Sequence, residues 1–218
     1  MPKDTFKAIP PEKRERVVAV ATRLFAERGL NQTDMAEVAA QAKVAKGSLY
    51  NYFKSKDDLY LHVCREALTR SRQAVYGSID PAWDVYRQVE HIFRSGVEFS
   101  QANPEYVALY LNIASAGMER FAKKISRQVE KFTADHLKGL IAKGMEQGIV
   151  RADLDVSLAA FLINSLYVMF AVSLVSPHFK IRMAVYLDIE GRLTGKTIED
   201  RLRRTIELIH GFLRPLAS

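Results

Sequence analysis

Apolar residues recur at three- and four-residue spacing along almost the whole chain, which puts one side chain per turn on a single helix face. Val17, Ala21, Leu24 and Phe25 fall at i, i+4, i+7 and i+8, and Ile198, Leu202, Ile206, Ile209 and Leu213 form a second such stripe. The apolar run 183–189 has strand-like content, but no neighbouring strand–helix–strand pattern supports it. An all-α protein of nine or ten helices is expected. With 218 residues, 48% of them hydrophobic and 26% charged, the chain has the material for a substantial core.

Punctuation residues set the expected boundaries. A first helix over residues 11–28 stops at Gly29, where a positive φ suits a helix end. Thr33 reads as the N-cap of a second helix that turns Met35, Val38, Ala39 and Ala42 inward. A short third helix covers 45–51. Ser55-Lys56-Asp57-Asp58 resembles a capping box and opens a long fourth helix to residue 74. Asp80-Pro81 and Asn103-Pro104 each place a capping side chain before a proline at N1. A further helix is expected over 117–147, ended by Gly148. Asp155 caps an apolar helix to Val175, Pro177 ends it, a mixed segment follows to Gly195, and Thr197 opens the last helix.

Several functions are set aside by pattern. One cysteine, Cys64, excludes a disulfide framework and any cysteine-based metal cluster. His62, His91, His136, His178 and His210 lack metal-ligand spacing, so neither a metal nor a cofactor is expected. Gly191 to Thr197 has three residues between its glycines, where a phosphate loop needs four. Nothing resembles a nucleophile elbow, so no enzyme is expected. The start of the chain has no apolar signal core, and the stretch 159–175 is short for a span at about 1.5 Å per residue against a roughly 30 Å hydrocarbon layer. A cytoplasmic protein is expected.

Charge points the other way, toward nucleic acid. Residues 1–75 hold 14 Lys and Arg against 9 Asp and Glu, a net of +5 out of a total of +7. A basic module on a near-neutral body is a common footprint of a nucleic-acid binder. Two short helices joined by a tight turn behind a longer supporting helix form a helix-turn-helix, whose second member enters the major groove. In that helix Val44 and Leu49 face a small core closed by Phe53. Lys46, Ser48, Tyr50 and Tyr52 are left pointing outward, and Gly47 lets the backbone approach DNA closely. Lys56 begins the fourth helix, whose positive dipole end also suits a phosphate.

The run Arg14-Glu15-Arg16-Val17-Val18, Leu24-Phe25-Ala26-Glu27-Arg28-Gly29-Leu30, Thr33, Val38-Ala39, Ala42, Val44 and the block from Lys46 to Leu59 resembles the tetracycline-repressor (TetR) family. The likeness covers about residues 14–60. It implies a homodimer on a palindromic operator, two recognition helices one DNA turn apart, and a ligand cavity in the C-terminal half. It also implies that Thr33 meets the phosphate backbone, that Lys46, Gly47 and Ser48 enter the groove, that Tyr50 and Tyr52 brace phosphates or touch bases, and that Lys56 clamps a phosphate. Two departures stand out. Lys43 replaces the family's frequent turn glycine and would take a left-handed conformation costing on the order of 1 kcal/mol. Ala45 replaces the frequent capping serine, forgoing a cap of about 1 kcal/mol.

The expected division is a DNA-binding domain at 1–56 and a ligand-binding and dimerisation domain at 57–218. The candidates for a mainly aromatic effector pocket are Phe93, Tyr110, Phe121 and Phe132, with Asn164 as its polar anchor, for an unidentified hydrophobic or aromatic small molecule. For pairing across a two-fold axis they are Leu162, Leu166 and Phe170 on the apolar helix, with Ile198, Leu202, Ile206, Ile209 and Leu213 on the last one. The fourth helix is the expected lever, with residues 64–69 bordering the cavity.

Overall fold

A computed structural model describes residues 2–216, apart from the side chains of residues 128 and 129. Among the described residues it contains eleven α-helices and no strand: α1 Asp4–Lys7, α2 Pro11–Gln32, α3 Met35–Gln41, α4 Lys46–Tyr52, α5 Lys56–Tyr76, α6 Val85–Ala102, α7 Pro104–Ile113, α8 Glu119–Glu146, α9 Val156–Val175, α10 Pro177–Tyr186 and α11 Gly195–Leu213. They group into two compact units. One comprises Met1–Arg70 with Asn103–Arg127, the other Ser71–Ala102 with Gln128–Ser218. By compactness the boundary therefore runs through α5 and α8.

The N-terminal unit is built on α2, which packs against α3 and α7. Val17, Ala21, Leu24 and Phe25 are buried on one face of α2, as their spacing requires. Phe25 meets the Tyr60 ring edge-on at 5.1 Å, and Tyr60 meets Phe121 at 5.2 Å. Fully burying each such side chain contributes about 1.5–3 kcal/mol. Gly29 breaks α2 with φ 72° and ψ 177°. Only glycine tolerates that corner of backbone space, so the break is fixed by backbone sterics, not by crowding.

The other unit centres on α6, which packs against α9 and α11. The α11 stripe keeps its expected spacing: Leu202, Ile206, Ile209 and Leu213 are buried there with Val89, Ile92, Phe93 and Ile163. Asp155 caps α9 by accepting from the amides of Ser157 and Leu158 at 2.8 and 3.0 Å. At 20 residues α9 is about 30 Å long, so the expectation that it falls short of a span does not hold. It is the described helix long and apolar enough to cross a membrane. Its Ala159, Ala160, Ile163 and Phe170 face is buried in the protein core instead.

Three local expectations are corrected. Asp80-Pro81 makes a turn, Asp80 accepting from the Ala82 amide at 2.8 Å, and α6 starts later behind Asp84, which accepts from Arg87. Pro177 begins α10 where a mixed segment was expected, and Thr194, not Thr197, caps α11. A short α1 precedes the first expected helix.

Candidate functional site

The helix-turn-helix is α3, residues 42–45 and α4. Lys43 has φ 56°, the left-handed conformation its place in the turn demands. Backbone bonds from Lys43 to the Ala40 carbonyl and from Val44 to the Ala39 carbonyl close the turn. Arg16 on α2 donates to the Ala42 carbonyl at 2.8 Å and fixes the turn to the supporting helix. Arg28 pairs with Glu37 at 2.5 Å. Asp34, not Thr33, caps α3 by accepting from the Ala36 amide at 2.7 Å. Ala45 offers α4 no side-chain cap, which leaves its first amides open.

The two faces of α4 differ sharply. Leu49 is fully buried, Tyr52 is 6% exposed and Phe53 closes the core just beyond. Lys46 and Gly47 are exposed, Ser48 is half-buried, and Tyr50 is 43% exposed. A Cβ added at Gly47 would meet nothing within 4 Å, so the backbone there is bare to any approaching surface. Lys43, Asn51 and Lys54 are exposed beside this edge.

Three of the expected DNA contacts are corrected. Tyr52 points inward, its ring 5.5 Å from that of Phe6, because α1 supplies an aromatic neighbour that the sequence pattern had not placed. Thr33 is 2% exposed, and its hydroxyl is shared between the carbonyls of Gly29 at 2.7 Å and Leu24 at 3.2 Å. A buried hydroxyl thereby bridges carbonyls on either side of the break, one in the regular helix and one at Gly29 itself. Lys56 directs Nζ to the carbonyls of Asn31 at 3.1 Å and Thr33 at 3.0 Å. These two bonds tie it to the end of α2. Half of the capping box forms as expected, Ser55 accepting from the Asp58 amide at 3.2 Å, while Asp58 reaches past Ser55 to accept from the Lys54 amide at 3.2 Å.

The N-terminal segment adds a feature that spacing alone did not reveal. The Lys3 amide donates to the Tyr52 carbonyl at 2.9 Å, Lys3 Nζ to the Tyr50 carbonyl at 3.0 Å, and the Thr5 hydroxyl to the Asn51 carbonyl at 2.7 Å. Three successive carbonyls at the C-terminus of α4 are thereby satisfied. Phe6 anchors the segment against Phe53 at 4.7 Å and His62 at 5.5 Å. A four-residue helix with a single buried residue leaves almost no periodic signature, and only Phe6 hinted at it.

The ligand candidates are placed in different settings. Phe121 is buried in the N-terminal unit against Tyr60, and Tyr110, 37% exposed, lies on α7 of the same unit. Phe93 and Asn164 do line one narrow space in the other unit, together with Tyr76, Leu137, Ile163 and Tyr167, too tight for a water molecule. Phe132 packs edge-on against Tyr76 at 5.2 Å, with the Arg72 guanidinium 4.0 Å over its ring. Aromatic content alone could not separate core-filling rings from lining rings. Tyr76 and Tyr167, which also line that space, were missed.

Of the pairing candidates, Phe170, Leu202, Ile206, Ile209 and Leu213 are buried in their own subunit, so they are not available to a partner. Ile198 packs partly buried against the same core. Leu162 and Leu166 are exposed, and they fall on one face of α9 with Leu158, Phe161 and Met169. Phe161 is the most exposed of these at 68%. Every stripe has an inner side, and periodicity does not say whether the inner neighbour is self or partner.

Among the described residues no cluster of three or more His, Cys, Asp or Glu is positioned to hold a metal. Burial pushes the Cys64 thiol up to about 12, leaving it protonated and unreactive.

Comparison with known proteins bears on the same segment. The family model for bacterial regulatory proteins of the tetR family matches residues 17–63. The HTH-type transcriptional repressor KstR2 of Mycobacterium tuberculosis is 28% identical over 150 residues, covering 67% of this chain and 73% of that protein. The fold matches a TetR family transcriptional regulator from Chloroflexus aurantiacus with a TM-score of 0.71 at 21% identity, over 99% of this chain and 100% of that one. It also matches FadR of Bacillus subtilis in complex with stearoyl-CoA, with a TM-score of 0.71 at 19% identity, over 91% and 98% of the two chains.

Proposed function

This chain belongs to the TetR family of bacterial transcription regulators, and from that premise we propose that it is a homodimeric repressor released from a palindromic operator by a small, mainly apolar effector. The observation that carries the reading is the two-sided α4. Its apolar face is locked into the N-terminal unit, while Lys46, Gly47, Ser48 and Tyr50 form an exposed edge with a bare backbone. An α-helix of that kind fits the major groove, where base edges present distinct donor and acceptor patterns. Residues 1–56 form the DNA-binding domain and 57–218 the effector and dimerisation domain. The protein works in the cytoplasm, where its operator is.

Homodimerisation is proposed through the exposed face of α9. Leu158, Phe161, Leu162, Leu166 and Met169 make a contiguous apolar strip of a kind that soluble monomers rarely leave open. A two-fold pair would place half-sites about 34–36 Å apart or a multiple of that. Two relatives support the remaining parts of the proposal. KstR2 is a transcriptional repressor, and FadR was crystallised with stearoyl-CoA, a ligand with a long apolar body. Release would be a population shift. An effector that fits only the conformation with mis-spaced recognition helices lowers operator affinity by a coupling of about 1–3 kcal/mol. The lever is α5, a single helix that begins at Lys56 and ends at Tyr76, which lines the narrow space of the C-terminal unit. Residues 64–69 lie in the N-terminal unit, so the cavity-facing position on the lever is Tyr76.

Selection of bound sequences from a random duplex pool tests the proposal. Enrichment of a near-palindrome, retained strongly at low salt and lost as salt rises, is the expected result. Recovery of no enriched duplex at low ionic strength would sink it.

A further inference from the structure

The outer face of α10 is apolar and has no cover within the chain. Met183 turns into the core of the C-terminal unit. Ile181 and Val185, two residues to either side of it, point the other way, as helix geometry requires. They are 66% and 69% exposed, and Tyr186 beside Val185 is 72% exposed. The Arg182 guanidinium lies 4.7 Å over the Tyr186 ring and places a cation at the rim of the apolar patch. This face belongs to a different helix from the α9 strip, and nothing said so far gives it a role.

Charge along α10 runs against the helix's own dipole. Lys180 and Arg182 precede Val185, while Asp188 and Glu190 follow it, and all four are exposed. Backbone bonds from Leu187 to the Met183 carbonyl and from Ile189 to the Ala184 carbonyl close the helix end, where Asp188 takes φ 47°. A helix favours anions at its start and cations at its end, so this order does not stabilise α10 itself. On neighbouring α11, Arg203 and Arg204 pair with Asp200. Among the described residues, by contrast, no ion pair engages Lys180, Arg182, Asp188 or Glu190. An antiparallel copy of the same helix answers both features. It sets the cationic end of each helix against the anionic end of the other, and it covers Ile181, Val185 and Tyr186. Such self-pairing is the relation a two-fold axis produces.

We propose that the outer face of α10 is a second self-association surface, through which two homodimers of this chain meet. This goes beyond the regulator reading and rests on it only for the number of chains that meet. Area sets the strength. An apolar patch of this size amounts to roughly a few hundred Å². A stable interface buries about 800 Å² per partner, so pairing through α10 is weak in free solution. It becomes effective where two copies are held close together. Two dimers on adjacent operator sites of one duplex are in that position, at an effective concentration on the order of millimolar. The α9 face would hold each dimer together, and α10 would couple the occupancy of neighbouring sites.

Sedimentation equilibrium of the full-length protein without DNA, from about 5 μM to about 500 μM, reads the weak contact directly. The average mass is expected to double across that range, from two chains toward four. Val185→Asp should leave the mass at the dilute end unchanged and abolish the doubling. Arg182→Glu, which sets like charges against Asp188 and Glu190 of the other copy, should weaken the association about tenfold, and Arg182→Gln much less. Phe161→Glu keeps the two readings apart. Its mass should double from one chain toward two, because a lost α9 contact changes the starting mass and not the doubling. A constant wild-type mass, or a doubling that survives Val185→Asp, would overturn the proposal. So would a Val185→Asp protein already at half the wild-type mass when dilute, which would make α10 a part of the α9 interface.

Discussion

The ammonium group of Lys56 lies 3.0 Å from the carbonyl oxygen of Thr33, and it also holds the carbonyl of Asn31. A cation at the end of α2 complements the negative pole of that helix and answers carbonyls left open where it ends at Gln32. The lysine is thus a strut between α2 and α5.

Lys56→Met should consequently lower stability by about 1 kcal/mol, the usual worth of lost hydrogen bonds at a half-exposed site. Urea unfolding followed by circular dichroism measures it. The salt slope of DNA binding should stay within error of wild type, because no phosphate contact has been removed. A slope reduced by about one unit would mean that the strut also touches DNA.

Tyr50 and Tyr52, two residues apart on α4, should respond in opposite ways. Tyr52→Ala removes a ring packed on Phe6 and should cost about 3–5 kcal/mol, as large aromatic truncations in cores do. Tyr50→Ala should leave the urea midpoint nearly unchanged and weaken operator binding. Lys46→Ala should instead reorder preference among operators by about 1–3 kcal/mol at a single base pair. Parallel binding curves for a panel of operator variants distinguish the two outcomes.

Placing a charge on the exposed face of α9 should separate subunits without unfolding them. Phe161→Glu is expected to sediment at the 24.7 kDa of a single chain, with an unaltered far-ultraviolet spectrum. Ile206→Glu, in the buried stripe of α11, should unfold the protein. A Phe161→Glu protein that remains a dimer at micromolar concentration would place the interface elsewhere.

Acid should weaken the fold through two histidines. Burial lowers the pKa of His62, against the opposing pull of Glu66 and Asp58, and burial lowers that of His136. In each case the unfolded chain binds a proton more readily than the folded one. Stability is complete above the unfolded value of 6.5 and falls as pH drops through that value toward the lower folded pKa. Urea midpoints at about pH 7.5 and about pH 5.5 should differ in that direction, and His62→Phe should flatten the dependence. An unchanged midpoint would show that neither ring is neutral by burial.

Helix periods and glycine stops carried most of the architecture. Gly29, Ser55, Asp155 and the α11 stripe sit where local rules place them, because each is decided by backbone sterics or a neighbouring amide. The misplacements share one cause. Thr33, Tyr52 and Lys56 have side chains that suit both a phosphate and a backbone carbonyl, and choosing between them requires knowing what lies across the chain. For Thr33 and Lys56 that neighbour is the broken end of α2, and for Tyr52 it is Phe6. The ligand residues were harder still. An aromatic ring on a helix looks the same in sequence whether it fills a core, as Phe121 does, or lines a space, as Phe93 does.

The first few residues are bound into the reading head itself, since Lys3 and Thr5 tie down the far end of α4 and Phe6 wedges beneath it. Clipping residues 2–8, or fusing a bulky tag tightly against them, would slacken the grip on the operator even though every groove-facing side chain stayed intact. Assays of this regulator should therefore carry affinity tags at the opposite terminus.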